Sequence, residues 1–332
     1  MKYSVILLCI LCTACGKFSK KSSLQPREPS VKVNLTRYGK DYNYCKELKE
    51  EVLLYFVFVD SDTEAKWNSF SVENKQKQID STVHWLENEG RKNDVLLNIK
   101  TDYFSVNDSI VSIQNKMKYG SIKKALEWSE KGVDGLNRWA QNVSDMAYRS
   151  LINKGEIDQS LTGVDRLVTY IQNRYKASNT GLIFLKNAPV KEDISMVFNS
   201  FRDSREYKKR PDGEFAIITD NHRPAVIAHE VLHLFGAEDF YSIGYNVKYY
   251  TKKEMKRYRL KSSYAYYPAS YSNKTYLLRE YPNAIMRNIT YDVLDSLTVS
   301  PVTQYLIGWK SKYDLTTRDK EFLLYGDYID ID

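Results

Sequence analysis

One segment carries most of the structural and chemical information in this chain: Pro224-Ala-Val-Ile-Ala-His-Glu-Val-Leu-His-Leu-Phe-Gly-Ala-Glu-Asp239. Pro224 suits the first position of a helix, where its missing N–H costs nothing. Gly236 suits the end of that helix, because glycine readily adopts the left-handed backbone conformations that stop helices. The segment therefore predicts a helix from Pro224 to Gly236.

Within this helix, His229, Glu230 and His233 form the pattern H-E-x-x-H. Side chains at positions i and i+4 project from the same face of a helix, about one turn apart. That spacing suits two imidazole nitrogens that bind one Zn²⁺ ion at about 2.0–2.1 Å. Glu230 lies beside the first ligand and can act as general base toward a water at the metal. The alternative is a pair of ordinary surface histidines.

The pattern continues to H-E-x-x-H-x-x-G-x-x-D, which adds Asp239 as a candidate third ligand. Gly236 lets the chain turn sharply after the helix, so that Asp239 can return to the metal. Three protein ligands leave a fourth coordination position for water, which is the arrangement of catalytic zinc sites. Two alternative third ligands remain open: Glu238, and Glu254 in a thermolysin-like plan.

The extended motif resembles that of the metzincin clan of zinc metallopeptidases, some of which have Asp in the last position. Downstream, Asn283-Ala-Ile-Met286 resembles the Met-turn that lies below the metal in this clan. The resemblance spans residues 50–310 and implies an α/β (α+β) catalytic domain. Such a domain has a twisted mixed sheet with an antiparallel edge strand, an active-site helix, the Met-turn and a C-terminal helix. The alternative for Met286 is ordinary core packing.

The same resemblance implies one catalytic Zn²⁺ ion and an endopeptidase activity. Residues 214–219 would be the edge strand, to which a peptide substrate adds through backbone hydrogen bonds. Tyr291 is a candidate for stabilising the oxyanion, since some metzincins place a tyrosine shortly after the methionine.

Upstream of the motif, the hydrophobic pattern predicts a parallel βαβ unit. Residues 51–60 form a continuous apolar run, which is typical of a buried strand. A helix is expected from Ser71 to Gly90, and a second strand over residues 95–100. A strand–helix–strand crossover of this length favours parallel pairing.

The other expected elements are a helical segment over 104–180, strands over 181–185 and 214–219, and a last helix over 300–309. Residues 186–213 and 240–281 receive no element. The segment 241–281 is dense in lysine, arginine and tyrosine, which favours a solvated face. The alternatives are a cleft wall that selects acidic or glycan-bearing substrates, or a surface that lies on anionic lipid.

The N-terminus predicts an export signal. Residues 1–14 begin with a positive charge and continue as a short apolar core that ends in small residues. Cys12-Thr-Ala-Cys15 resembles a bacterial lipobox, in which the last cysteine is lipidated. We expect a signal peptide over 1–14, a lipidated Cys15 that begins a flexible tether over 15–45, and a single domain over 46–332. The alternative is a plainly cleaved or an uncleaved signal.

The composition narrows the class of protein. Hydrophobic residues make up 42% and charged residues 27% of the 332 positions, which excludes a mostly disordered chain. The net charge of +7 comes without a dense Lys/Arg block, so no nucleic-acid partner is expected.

The cysteines argue against a disulfide scaffold. Processing at Cys15 would remove Cys9 and Cys12 and leave Cys45 as the single thiol. We expect Cys45 to be an ordinary thiol; the alternative is a thiolate that caps the zinc ion and keeps the enzyme latent. His222 is expected to be a helix-start or loop residue rather than a ligand.

Together, these patterns indicate an exported, lipid-anchored zinc endopeptidase that hydrolyses extracellular or envelope proteins. The metal ligands would be His229, His233 and Asp239. Glu230 would be the base, and Met286 would support the site. The expected partners are a protein or peptide substrate and a membrane that holds the N-terminal lipid. The alternatives are a zinc hydrolase of a non-peptide cell-wall amide, and a non-catalytic surface lipoprotein that binds glycan or protein.

Overall fold

The computed structural model describes most of the region from residue 44 onward. The described residues are 44–45, 47–60, 66–117, 130–152, 161–187, 194–198, 213–240, 246–249, 264–267, 277–287, 289, 293–317 and 319. The expected signal peptide, Cys15, Glu254 and Tyr291 lie outside these residues, as does most of the segment 241–281. None of the described helices is both long and apolar enough to span a membrane.

The described residues form both strands and helices. The strands are β1 (Glu50–Asp60), β2 (Leu97–Tyr103), β3 (Ser105–Val106), β4 (Ser109–Ile110), β5 (Ile113–Gln114), β6 (Thr180–Asn187), β7 (Ser195–Phe198), β8 (Phe215–Thr219), β9 (Asn246–Tyr249) and β10 (Tyr264–Tyr267). The helices are α1 (Ser69–Lys92), α2 (Glu130–Leu151), α3 (Gly163–Tyr175), α4 (Pro224–Leu234) and α5 (Pro301–Leu306), with single 3₁₀ turns at Leu294–Ser296 and Lys312–Asp314.

The main sheet is mixed, with the strand order β2-β1-β6-β8-β7 and with β5 paired to the end of β1. All of its strand pairs are parallel except β7 with β8, which is antiparallel. The βαβ unit formed by β1, α1 and β2 is therefore confirmed. So are the mixed α/β class and the antiparallel strand at one edge of the sheet.

The identity of the edge strand was predicted wrongly. The predicted edge strand, residues 214–219, corresponds to β8, which lies between β6 and β7. Every residue of β8 is buried, as expected for an apolar run inside a sheet that is covered on both faces. Among the described strands, the one at this edge is β7, which lies in the segment 186–213, where no element was predicted. Its residues alternate between half-buried and buried.

Helices cover both faces of the sheet, and β1 shows how the two cores are divided. Val52, Leu54, Phe56 and Phe58 belong to the core that contains the apolar faces of α1 and α4. Leu53, Tyr55, Val57 and Val59 belong to the second core, with α2 and α3. This three-layer arrangement explains why β1 is apolar throughout rather than alternating.

Two other expectations are corrected. Helix α1 begins two residues earlier than Ser71, because the side chain of Asn68 caps it by accepting from the Ser71 amide at 2.9 Å. It also continues through Gly90 to Lys92. The segment 104–180 is not helical throughout, since β3 and β4 form a hairpin near its start. The two-residue turn Asn107-Asp108 has positive φ at both positions, a conformation that these residue types tolerate and that suits tight hairpins.

The domain begins earlier than expected, because two residues assigned to the tether are packed inside it. Tyr44 and Cys45 are buried, and their amides donate to Glu214 Oε2 at 2.7 and 2.9 Å. The Leu48 amide donates to the carbonyl of Ile307 at 2.9 Å. The start of the domain is thus joined to the sheet and to the end of α5.

A buried lysine joins α1 to the turn that precedes α4. Lys75 is 2% exposed, and its Nζ donates to the Asp220 and His222 carbonyls at 2.7 and 2.9 Å, and to Gln78 Oε1 at 2.8 Å. Burial lowers the pKa of Lys75 to about 8, against the opposing effect of the Asp220 charge. These bonds fix the point from which α4 starts.

Replacing this lysine should destabilise the fold. For Lys75→Met we expect the free energy of unfolding to fall by about 1–3 kcal/mol, because two part-buried carbonyls lose a donor that they share. Urea unfolding at neutral pH measures the change. The control is Lys77→Met on the same helix. Lys77 is exposed and forms a surface ion pair with Glu73, so we expect a change of less than about 0.5 kcal/mol. Equal effects of the two substitutions would contradict the prediction.

Candidate metal centre

Helix α4 presents the two histidines as expected. It starts at Pro224, ends at Leu234, and buries both His229 and His233. The two imidazole rings lie one turn apart, with centroids separated by 4.6 Å and planes almost perpendicular. Their Nε2 atoms are 3.0 Å apart.

Asp239 joins the two histidines to complete a compact triangle. Its Oδ1 lies 3.0 Å from His233 Nε2 and 3.1 Å from His229 Nε2. Within the described ranges, these three residues are the one group of at least three His, Cys, Asp or Glu side chains that could hold a metal ion. Glu238, the adjacent alternative, is half-buried and not part of this group.

Backbone carbonyls orient both imidazole rings. His229 Nδ1 lies 2.9 Å from the Ile285 carbonyl, and His233 Nδ1 lies 2.7 Å from the Ala237 carbonyl. A carbonyl oxygen can only accept, so each Nδ1 must carry a proton and donate. In the neutral rings, both Nε2 lone pairs therefore point toward Asp239 Oδ1. Metal-binding histidines are commonly held this way, through the nitrogen that does not bind the metal.

This convergence of lone pairs suits a cation. In the protein without metal, protons have to relieve the repulsion among the three atoms. Burial alone would lower the pKa of His229, but the hydrogen bond with Asp239 and the charges of Glu230 and Asp239 outweigh it and raise that pKa. Burial alone would raise the pKa of Asp239, but the charges and hydrogen bonds of the two histidines hold it well below its usual range.

The donor set and its dimensions fit Zn²⁺. A tetrahedral zinc ion with bonds of about 2.0–2.1 Å separates its ligand atoms by about 3.4 Å. The triangle, with sides of 3.0, 3.0 and 3.1 Å, needs only a small expansion to reach that spacing. Two imidazole nitrogens and one carboxylate oxygen are ligands that zinc accepts, and three protein ligands leave one position open.

Gly236 makes the return of Asp239 to the histidines possible. Its φ is +99°, a conformation that side chains disfavour. A Cβ atom at this position would also lie 3.1 Å from the carbonyl oxygen of Leu306. The chain therefore leaves α4 through a turn that is built for glycine, and Asp239 follows three residues later.

The backbone of the segment 283–287 contacts residues of the triangle and next to it. The Ile285 carbonyl orients His229. The carbonyl of Met286 accepts at 2.8 Å from the amide of Phe240, the residue that directly follows Asp239. Met286 itself is fully buried in the core that contains α4. The expected Met-turn segment is thus brought to the site, and its backbone fixes both ends of the ligand set.

Glu230 is buried beside the triangle, with 4% of its surface exposed. Its Oε1 accepts a hydrogen bond from the hydroxyl of Ser195, the first residue of β7. Its Oε2 is buried without a hydrogen-bond partner. Ser195 could not be recognised from the sequence, because a strand of only four residues has little periodicity. The one available signal was the alternation of Ser195, Met196, Val197 and Phe198.

The structure places the two other candidate residues outside the triangle. Cys45 is buried, and its Sγ donates to the carbonyl of Thr180 at 3.3 Å. Burial and the nearby Glu214 charge raise the pKa of this thiol well above its usual value. His222 uses its carbonyl to accept from Lys75. Neither residue belongs to the cluster that could hold a metal.

Comparisons with known proteins do not add a family. A scan against family models, a search of curated proteins and a search of solved structures each found no match. The geometry of His229, Glu230, His233 and Asp239 is therefore the observation from which a function can be inferred.

The turn at Gly236 gives a prediction on stability. We expect Gly236→Ala to lower the free energy of unfolding by about 1–3 kcal/mol, because the φ value is strained for alanine and its Cβ crowds the Leu306 carbonyl. Urea unfolding in the presence of a chelator measures this without a contribution from metal. The control, Gly135→Ala inside α2, should leave stability unchanged or raise it by up to about 1 kcal/mol, since alanine favours helix interiors. A neutral Gly236→Ala would contradict the prediction.

Proposed function

We propose that this protein is a zinc-dependent endopeptidase of the metzincin type, which hydrolyses extracellular or envelope proteins. One observation carries the proposal. The metal-binding atoms of His229, His233 and Asp239 converge within 3.1 Å in a buried site, beside Glu230 with one unpartnered carboxylate oxygen. A purely structural zinc site needs neither an open coordination position nor an adjacent base.

Each residue has a distinct part in the proposed site. His229, His233 and Asp239 would hold the zinc ion, with the carbonyls of Ile285 and Ala237 fixing the two rings. A zinc ion held there supplies a Lewis acid that polarises a carbonyl and makes water a better nucleophile at neutral pH.

Glu230 is the proton carrier of the proposed reaction. Its Oε2 accepts a proton from the attacking water while the water oxygen bonds to the scissile carbonyl carbon. The same proton then passes to the leaving nitrogen as the C–N bond breaks, which regenerates the carboxylate. Burial of Glu230 favours this role, because electrostatic interactions are stronger where water is excluded.

Strand β7 is the proposed docking edge for a peptide substrate, in place of residues 214–219. It is the last strand in the sheet order and runs antiparallel to β8. A peptide that adds to such an edge is held by backbone hydrogen bonds, which bind many sequences. Because Ser195 on this strand contacts Glu230, a peptide docked there would lie close to the base.

Anchoring through a lipidated Cys15 remains part of the proposal. The protein would then be exported to the bacterial cell envelope and would act at a membrane or cell surface. Its partners would be protein substrates and the membrane that holds the lipid.

The metal content tests the ligand set. We expect about one zinc ion per chain in the purified protein, retained after gel filtration. In Asp239→Ala, zinc affinity should fall by more than the roughly 10- to 100-fold typical of losing an outer-shell partner. Glu238→Ala is the matched control and should retain zinc, since this neighbour lies outside the triangle. Zinc lost in Glu238→Ala but kept in Asp239→Ala would reassign the third ligand.

The activity tests the role of Glu230. We expect Glu230→Gln to retain zinc but to lower kcat for cleavage of fluorescein-labelled casein by about 10²–10⁴-fold, the usual contribution of a general base. Glu238→Gln is the control and should keep the parent kcat. Full activity in Glu230→Gln would exclude it as the base. A zinc-loaded parent that cleaves no protein, but does cleave cell-wall amides, would favour the alternative hydrolase.

A further inference from the structure

The two carboxylate oxygens of Glu230 have different surroundings. Oε1 accepts from the Ser195 hydroxyl, whereas Oε2 has no hydrogen-bond partner although it is buried. Left to itself, the terminal torsion of a glutamate is broad, and its two oxygens are interchangeable. The serine therefore distinguishes one oxygen from the other.

We propose that Ser195 is a positioning residue for Glu230: by holding Oε1, its hydroxyl keeps Oε2 as the oxygen that takes the proton of the attacking water. This inference rests on the proposed function. The proton moves from the water oxygen to Oε2, the electron pair of the broken O–H bond remains on oxygen for the new C–O bond, and the proton leaves with the amine. Ser195 neither gains nor loses a proton in the cycle.

The backbone of Ser195 is held firmly enough for this role. Ser195 lies opposite Ile218 in the β7–β8 ladder. The preceding residue, Ile194, is tied to Thr219 in both directions: the Thr219 amide donates to the Ile194 carbonyl at 3.0 Å, and the Ile194 amide donates to Thr219 Oγ1 at 3.3 Å. With the backbone of Ser195 fixed, the position of its Oγ depends on a single side-chain torsion.

The position of Ser195 on its strand also matters. Met196 and Phe198 belong to the core with α2 and α3, whereas Val197 packs against the core that contains α4. Side chains alternate across a strand, so Ser195 and Val197 share the face that is turned to α4. One short strand thus offers a backbone edge for a peptide and a hydroxyl for the base.

The alternative hypothesis to be excluded is that Ser195 has only a structural role. In that case its hydroxyl would satisfy a buried carboxylate, and its loss would lower stability without a specific effect on turnover. A positioning role predicts a lower kcat with little change in KM, because the proton transfer to Glu230 belongs to the reaction and not to binding of the peptide. It also predicts rescue by Ser195→Thr, which keeps the hydroxyl and suits a strand.

The first measurement requires neither zinc nor a substrate. Urea unfolding of the full chain in chelator is compared for Ser195→Ala, Glu230→Ala and the double variant. If the two side chains did not interact, the effects of the two substitutions on the unfolding equilibrium constant would multiply in the double variant. We expect the double variant to depart from that product by at least about tenfold, as for a hydrogen bond to a charged group. Val197→Ala combined with Glu230→Ala is the control, and its effects should multiply within about threefold. Multiplicative behaviour of the Ser195 pair would overturn the proposal.

The second measurement uses the zinc-loaded protein and fluorescein-labelled casein. We expect Ser195→Ala to lower kcat by about tenfold or more, since small misplacements of a catalytic group are costly. Its KM and zinc content should stay within twofold of the parent, and Ser195→Thr should recover most of the lost kcat. An unchanged kcat in Ser195→Ala would overturn the proposal. So would a rise in KM without a fall in kcat. If the parent cleaves no casein, the proposed function has failed, and the unfolding cycle still shows whether the serine holds the carboxylate.

Discussion

Three lone pairs converge in a buried site beside α4, and several parts of the chain hold them together. The Nε2 atoms of His229 and His233 and the Oδ1 of Asp239 lie within 3.1 Å of one another, away from water. Such an arrangement is unfavourable unless a cation or protons occupy it. A bound metal would remove this repulsion and stabilise the fold, because a ligand that binds only the folded state shifts the equilibrium toward that state.

The supports of the triangle come from separate parts of the chain. Lys75 on α1 fixes the turn that leads into α4. The carbonyls of Ile285 and Met286 fix the first ligand and the residue after the last one. Strand β7 contributes Ser195, whose hydroxyl donates to Glu230. The site is therefore a meeting point of helix, turn and sheet edge, and not a property of α4 alone.

How far the sequence predicts this protein depends on which groups carry the signal. Helix α4 was predictable because Pro224 and Gly236 mark its ends, and the triangle was predictable because its side chains have a characteristic spacing. Strands β1 and β6 were predictable from their continuous apolar runs. Backbone contacts such as the Ile285 carbonyl carry no side-chain signature, so their partners could not be deduced. The edge strand was misassigned because β8 is the stronger apolar run, whereas β7 has only four residues in which to show an alternation.

The contacts that Tyr44 and Leu48 make with distant parts of the chain affect how late in folding the domain is completed. Tyr44 binds Glu214, which is 170 positions away, and the Leu48 carbonyl accepts from the Trp309 indole, which is 261 positions away. Contacts so distant in sequence close late and slow the acquisition of the native state. If the chain crosses a membrane N-terminus first, as proposed, the contact between Leu48 and Trp309 cannot form until Trp309 has also crossed. The domain that carries the proposed metal site would then be completed only after nearly all of its described residues had crossed.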